Sequence, residues 1–367
     1  MFTAYFICIL GFTSTAILIG YYLLIFDRIR RQGDVPSDGP SPPISVIICA
    51  RNEHENLKKN IPSILAQDYP DYEVIIVDDA SWDGTSELLA KWEHEHPILR
   101  VVTISEEQKR TEGKKMALTL GIKRAQHALL LLTDADCRPR TDRWIRAMSK
   151  FPTKDIVLGY GAYEKSKGPL NLLIRFDTWR TAVFYLGAAL AGRAYMGVGR
   201  NLLYTRSLYE KTGGFRKHYH LIGGDDDLFV NHNSSAQNTG VVTNENGHTL
   251  STPPDTWKRW FRQRRRHMSV SHAYSGKSKF FIGTYNLSSI IFYVSILFLF
   301  TSSVPWYIPL ALFLIKTLIH LLISIYPARE LKENEMVVLL PILEPVALIM
   351  DSIVSISAIG RRPKAWK

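Results

Sequence analysis

The run Ala128–Leu129–Leu130–Leu131–Leu132–Thr133–Asp134–Ala135–Asp136 decides how this chain is read. Its apolar first part has the length of a buried strand, and two carboxylates two residues apart follow it directly. A strand ending in Asp-x-Asp presents both acids at the carboxyl edge of a sheet, where ligands of open α/β sheets bind. Hard oxygen ligands of this kind suit Mg²⁺ or Mn²⁺, ions that usually arrive shared with a diphosphate. Asp-x-Asp also occurs in ordinary loops and helix caps, so the weight of the reading rests on its neighbours.

Working outward, the same alternation repeats. Ile44–Cys49, Glu73–Val77 and Val101–Ile104 are β-branched strands like Ala128–Thr133, and helical segments near Asn56–Gln67, Thr85–Trp92 and Lys114–Ala125 lie between them. Strands separated by helices of this length imply right-handed crossovers and a mostly parallel α/β sheet. Polar residues concentrate where strands end: Arg51, Asn52 and Glu53 after the first, Asp78 and Asp79 after the second. Two adjacent acids at the end of a buried strand are costly without partners, which marks Asp79. Asp83, ahead of Gly84–Thr85, reads as a helix cap. Lys114 opens a helix after Gly113, placed either to balance a phosphate or to join a solvated basic face. Cys49–Asn56 contains no glycine, which argues against the glycine-rich phosphate loop a soluble nucleotidyltransferase needs.

The 367 residues exceed one small domain, and 46% hydrophobic content is ordinary, but its distribution is not. Phe2–Phe26 carries no charge and is long enough to span a hydrocarbon core of ~30 Å. It lacks a basic leading region and a clear cleavage site, so it reads as an anchor. Further apolar runs are Tyr285–Ser303, Ile308–Tyr326 and Met336–Ile359. The net charge of +11 gathers beside these runs, which favours lipid headgroups or diphosphates over nucleic acid. The three cysteines, Cys8, Cys49 and Cys137, have no metal-type spacing and suit a reducing location. The histidines 218, 220, 232 and 267 likewise show no compact ligand spacing.

The organisation expected is an N-terminal transmembrane helix (1–27), a linker (28–43), a cytosolic catalytic domain (44–256), an interfacial amphipathic helix (257–284), two transmembrane helices (285–326) and a membrane-associated segment with a basic tail (327–367). Basic residues after the first span place 28–284 in the cytoplasm, in a multi-pass cell-membrane protein. Pro341, Glu344, Pro345 and Asp351 make the last run a poor lipid-facing helix. A re-entrant hairpin broken at Glu344–Pro345 is preferred there to a fourth full span.

The ordered set Ile44–Glu53, Val77–Asp79, Gly113–Leu118, Thr133–Asp136, Gly197–Asn201, Gly213–Phe215 and Gly223–Leu228 resembles the membrane-integrated family-2 glycosyltransferases with a GT-A fold, over roughly residues 42–275. The resemblance implies that Arg51, Glu53, Asp79 and Lys114 line the pocket of a nucleotide-sugar, that Asp134 approaches its ribose, and that Asp136 holds Mg²⁺ or Mn²⁺ on the diphosphate. It also implies a general base in the later acidic motif. Within Gly223–Gly224–Asp225–Asp226–Asp227–Leu228, Asp226 matches a Gly-Asp-Asp pattern, and Asp225 matches if Leu228 sets the register. Gln263–Arg264–Arg265–Arg266–His267 resembles the family's Gln-[Gln/Arg]-x-Arg-Trp signature, which implies that Gln263, Arg264 and Arg266 face the donor. Guanidinium groups suit phosphate. His267 stands where processive relatives carry an acceptor-contacting tryptophan.

The expectation is therefore an inverting, metal-dependent transferase moving a sugar from a nucleotide-sugar, a UDP-sugar foremost, to a membrane-borne lipid or glycan acceptor, one or few sugars at a time. Its rivals are transfer to polyprenyl phosphate, a processive synthase, and a catalytically silent membrane scaffold. The intact Asp134, Asp136, Asp226, Gln263 and Arg266 argue against the scaffold.

Overall fold

The structure is a computed structural model describing residues 2–32, 41–108 and 113–358. Most of the expected linker (33–40) and the basic tail lie outside the described residues. Among the described residues there are ten strands: β1 (Ile44–Ala50), β2 (Tyr72–Asp79), β3 (Leu99–Ile104), β4 (Leu129–Asp134), β5 (Cys137–Pro139), β6 (Ile156–Leu158), β7 (Gly161–Tyr163), β8 (Leu202–Thr205), β9 (Thr239–Val241) and β10 (Thr249–Ser251). The helices are α1 (Phe2–Tyr21), α2 (Arg28–Arg31), α3 (His54–Leu65), α4 (Thr85–Glu95), α5 (Lys114–Arg124), α6 (Trp144–Met148), α7 (Pro169–Leu190), α8 (Arg206–Lys211), α9 (Asp227–Asn233), α10 (Trp257–Met268), α11 (Gly276–Phe300), α12 (Tyr307–Glu330) and α13 (Glu335–Ala358). A widened π-turn, Tyr22–Phe26, joins α1 to α2.

The main sheet runs β3-β2-β1-β4-β8-β6-β9, with β1 parallel to both β2 and β4, and β8 antiparallel to β4 and β6. Every residue of β1 is buried, as a strand covered on both faces requires. That explains its unbroken apolar run. Helix α5 packs so closely that a Cβ on Gly121 would lie 2.8 Å from Ile47 and 3.0 Å from Val77. Strand order switches at β1, with β2 and β3 added to one side and β4 to the other, so a crevice opens above the carboxyl ends of β1 and β4. The ladder sets Cys49 opposite Asp134 and Ala50 opposite Asp78, which brings the polar strand ends level. A second sheet, β5-β10-β7, walls that crevice. The early strands and helices match the sequence expectation to within a few residues at their ends.

Among the described residues, four helices are long and apolar enough to cross a membrane: the one through residues 3–31, α11, α12 and α13. Two sequence expectations are corrected here. First, α11 begins at Gly276, earlier than the expected 285, because Ser275 caps it through the Ser278 N–H. Second, α13 is one unbroken helix through Pro341 and Pro345, and no hairpin forms at Glu344. Each proline deprives one carbonyl of its helical partner, but the charges that argued for a break are satisfied laterally. Glu344 pairs with Lys316 at 2.5 Å and with His320 at 3.3 Å, and Asp351 pairs with Arg180 and Arg264.

The catalytic-type domain and the helices share one core. Gly187 of α7 admits the carbonyl of Ile25, where a Cβ would approach to 2.4 Å. Trp260 of α10 is buried against Leu173 and Ile174 of α7 and Tyr163, with Met350 of α13 packed alongside. The amphipathic helix therefore spends its apolar face on protein at this point.

Candidate active site

Two loops form the crevice's first wall, and they are stitched together. After β1, Asn52 takes a left-handed conformation (φ 55°), as does Ala80 after β2. The Asn52 N–H donates to Ser81 Oγ (2.9 Å), and the Trp82 N–H donates to Asn52 Oδ1 (3.0 Å). Non-glycine residues held at positive φ cost energy and persist only where their surroundings fix them. The Arg51 guanidinium lies over the Trp82 ring, 5.4 Å from its centroid. Asp83 accepts from the Thr85 N–H at 3.1 Å, the capping role read from sequence. Asp79 is buried at the end of β2. Glu53 Oε2 accepts from the Asn56 amide at 2.5 Å.

At the centre, Lys114 is buried and bonded to Asp134, with Asp225 Oδ2 at 3.9 Å. It is no member of a solvated basic face. Burial works against its charge, but Asp134 and Asp225 outweigh that and hold the amine well above its ordinary range. The Asp134 carboxyl is correspondingly held low: burial opposes the charge, and Lys114, helped by Arg200 and Arg266, prevails. Asp136 is the opposite case. Burial, then the charges of Asp134 and Glu53, push it up to about 6. Of the two Asp-x-Asp carboxyls, it is the one whose negative charge the protein leaves less compensated.

The Asp134, Asp136 and Cys137 ligand atoms all lie within 4.8 Å of one another. Cys137 donates to Asp136 Oδ1 (3.2 Å) and contacts Ser251 Oγ at 2.9 Å, while burial and the two aspartates push its thiol well up. A thiol kept neutral is a poor ligand, since metals bind the thiolate. The oxygen pair is left. It fits a hard divalent cation, with Asp136 the carboxylate free of an amine partner and Asp134 shared with Lys114.

The acidic motif is divided among three tasks. Asp226 Oδ2 accepts the Gly199 N–H (2.7 Å) and Oδ1 accepts the Asp227 N–H (2.7 Å), so both oxygens hold backbone, one in the segment before β8 and one at the start of α9. Asp227 accepts from the Tyr274 hydroxyl at 2.9 Å, and burial, reinforced by Asp226, lifts its carboxyl well above the usual range. Asp225 alone faces Lys114. The loop before it is clamped by Lys115, whose ammonium donates to the carbonyls of His218 (2.5 Å), Leu221 (2.8 Å) and Gly223 (2.5 Å).

From the other wall, Gln263 bonds the Tyr163 hydroxyl at 3.0 Å, and Arg200 stacks 4.4 Å from the centroid of that ring. Arg266 is near enough to Asp134 to lower its pKa. Arg264, expected at the donor, pairs with Asp177 at 3.0 Å and with Asp351 at 2.5 Å. Helix geometry explains why its partners differ from those of Gln263. Residues 263 and 266 are three apart and share a face, whereas 264 is rotated about 100° from 263. Sequence reasoning gave no role to Arg200 or Tyr163. Arg200 lay inside a quoted motif, flanked by Gly199 and Asn201, and that context was its signal. Tyr163 lies on a three-residue strand and gave none.

Residues 45–213 match glycosyl transferase family 2, and residues 130–343, over half of the chain, match glycosyl transferase family group 2. The chain belongs to this family of glycosyltransferases. It is 35% identical over 106 residues to the glycosyltransferase AglE of Haloferax volcanii, covering 28% of this chain and 33% of that one. It is 25% identical over 249 residues to the probable glycosyltransferase YdaM of Bacillus subtilis (61% and 54%), and 29% identical over 177 residues to a beta-monoglucosyldiacylglycerol synthase of Nostoc sp. (47% and 36%). The chain thus spans between a third and about half of the length of these relatives. Among solved structures, the mannosyltransferase PcManGT from Pyrobaculum calidifontis, determined in complex with GDP-Man and Mn²⁺, shares the GT-A fold: TM-score 0.57, 20% identity, 96% of this chain and 97% of that one.

Proposed function

We propose that the protein is an inverting, metal-dependent glycosyltransferase that moves a sugar from a nucleotide-sugar, a UDP-sugar foremost, to a hydroxyl of a membrane-borne lipid or lipid-linked glycan. The observation that carries this reading is the convergence of Asp225, Lys114 and Asp134, with Asp136 left under-compensated beside them. Asp136 and Asp134 would hold a Mg²⁺ or Mn²⁺, which would supply positive charge for the diphosphate. Arg51, Glu53 and Asp79 line the nucleotide side. Arg266, with Arg200 as an addition to the sequence reading, offsets charge on the departing phosphate oxygens.

Asp225 is the general base in this proposal, which adopts the register set by Leu228. It takes the proton of the acceptor hydroxyl as that oxygen bonds to the anomeric carbon and the bond to the leaving phosphate breaks. Charge develops in the sugar ring on the way. Asp226 is instead a positioning residue, because both of its oxygens already accept backbone N–H groups.

The four apolar helices support a multi-pass placement in the cell membrane with the catalytic domain on its cytoplasmic face. Large apolar side chains such as Leu297, Val338 and Ile356 are mostly exposed along them, as lipid-facing surface would be. Trp306 and Tyr307 stand at the α11–α12 turn, the place for an interfacial aromatic belt. Products of one or few sugars are proposed, since His267 offers an acceptor sugar less aromatic surface than tryptophan would. The test is a panel of nucleotide-sugars offered to purified protein with membrane lipid extract, reading released nucleoside diphosphate and product mass. Release with every donor absent from the product, or no release at all, overturns the proposal.

A further inference from the structure

A cavity of about 30 Å³ lies where α7 meets the apolar helices, lined among others by Trp179, Arg180, Tyr285, His320, Ser324 and Glu344. Three polar atoms of its lining residues, Trp179 Nε1, Arg180 Nε and Ser324 Oγ, are buried without a hydrogen-bond partner. Trp179 is 2% exposed and Ser324 fully buried. Buried donors left unpaired cost roughly 1–3 kcal/mol each, so their presence around one cavity is a specific demand for an oxygen acceptor. Indole and guanidinium nitrogens donate only. A group that pairs with them is an oxygen with lone pairs, and the volume admits one such group.

Charge narrows its identity. Arg180 and Arg264 are matched by Asp177 and Asp351, each carboxylate serving both guanidiniums. Lys316 is matched by Glu344. Each of these cations already has its carboxylate, so a phosphate would enter with its charge uncompensated, whereas an uncharged oxygen would not. Depth points the same way. Ser324 is six residues from the end of α12, and Tyr285 and Glu344 are each nine residues from the starts of α11 and α13. At 1.5 Å per residue these are about 9–14 Å along each helix. All three helix ends are on the catalytic side, where Lys332 bonds Glu245 at 2.7 Å and Tyr274 bonds Asp227 at 2.9 Å. With a headgroup layer of roughly 5–7 Å on each side of a core of ~30 Å, that depth is at or just inside the hydrocarbon boundary, where an uncharged oxygen is favoured over a phosphate.

We propose that this cavity seats the glycerol-level oxygen of a neutral, hydroxyl-bearing lipid, a diacylglycerol-type molecule, and so selects an uncharged acceptor over a lipid phosphate. This rests on the proposed placement of the helices in a membrane and names the acceptor class of the proposed transfer. The pairs that surround the cavity also hold Arg264 of α10, the helix carrying Gln263 and Arg266, so an occupant there adjoins the machinery it would feed.

The test is photolabelling of the full chain in phosphatidylcholine nanodiscs with a diacylglycerol bearing a diazirine near its glycerol. Label is expected on peptides containing Trp179, Tyr285 or Ser324, suppressed by excess unlabelled diacylglycerol but not by polyprenyl phosphate. Ser324→Leu, which fills the space, should abolish that label while leaving calorimetric nucleoside-diphosphate affinity unchanged. Trp179→Phe keeps most of the ring and removes one hydrogen bond of about 1 kcal/mol, so labelling should fall about fivefold; it carries the test should leucine perturb the bundle. Label elsewhere, equal suppression by polyprenyl phosphate, or wild-type labelling of both variants, as for a cavity that holds only water, overturns the proposal. Labelling requires no sugar transfer. Label at the cavity without nucleoside diphosphate release would leave the site standing and remove the transferase reading alone.

Discussion

The two walls of the crevice are built by different means. On the β1–β4 side, the acting residues are strand ends and the loops just beyond them, levelled by parallel register, and they come from a continuous stretch of about a quarter of the chain. On the α10 side, side chains are positioned by partners far away in sequence: Arg264 by Asp351, Gln263 by Tyr163, Arg175 by Glu333 and Glu335. The first wall is fixed by hydrophobic burial of whole strands, the second by ion pairs and single hydrogen bonds. The nucleotide side should therefore tolerate little and fail in its chemistry, while the acceptor side should fail by degrees, through placement.

The hardest break lies where the walls meet. Asp225→Asn should cut turnover by ~10²–10⁴, the usual contribution of a general base, with nucleoside-diphosphate affinity nearly intact. Asp226→Asn should act differently. An amide nitrogen facing the Gly199 or Asp227 N–H leaves a donor unpaired, costing roughly 1–3 kcal/mol of stability, seen as a lower Tm. Its turnover loss should be the smaller of the two. Single-turnover rates with calorimetry separate the cases, and a larger kinetic loss at Asp226 would return the base to the Gly-Asp-Asp register.

The same contrast governs what the sequence made legible. The β1–β4 wall was readable because each strand is a local apolar run and each acid follows directly: Asp79 and Asp134 needed no distant partner to be noticed. The α10 wall was not. In Arg264–Arg265–Arg266 the residue type is constant and only the helical angle assigns a role, and the carboxylates that claim Arg264 lie 87 residues away in each direction. The unbroken α13 was hidden for a related reason. Pro341, Glu344, Pro345 and Asp351 argue for a break until Lys316 and Arg180 are seen beside them. Residue types decide local structure, but long-range ion pairs decide whether an unfavourable local composition is tolerated.

A smaller, graded effect should come from protons at the metal position. With Asp136 pushed up to about 6, its carboxylate is protonated as pH falls through that value, and a proton competes with the cation. Well below pH 6, the affinity for Mn²⁺ with nucleoside diphosphate should fall about tenfold per pH unit from this group. The sign for the metal-free protein is opposite. A carboxyl raised above its unfolded value of 3.8 stabilises the fold at low pH, and that contribution is lost as pH rises toward 6. Added Mn²⁺ should therefore raise Tm more at pH 7 than at pH 5. Asp136→Asn should abolish both dependences, and a pH-independent metal response in the unaltered protein would remove Asp136 from the site.

The smallest effect tests whether the second wall is held as described. Asp351 belongs to α13, far from the strand ends, and touches the site only through Arg264. Its side chain is 26% exposed and that of Arg264 19%, so the pair is partly screened and is worth about 1 kcal/mol, with no full desolvation penalty to recover. Asp351→Asn keeps the shape and one acceptor oxygen but halves the negative charge shared by Arg180 and Arg264. Arg264 would then keep Asp177 as its one full carboxylate partner, and Gln263 and Arg266 would reach their places in a smaller fraction of molecules. A loss of about 1 kcal/mol corresponds to about fivefold in kcat/KM. It should appear mainly as a raised donor KM, because the base and the Lys114–Asp134 pair are untouched. A merely structural role would lower Tm and leave KM alone. If KM is unchanged while kcat falls, Asp351 acts on the chemistry by some other route, and the separation between the two walls fails at this point.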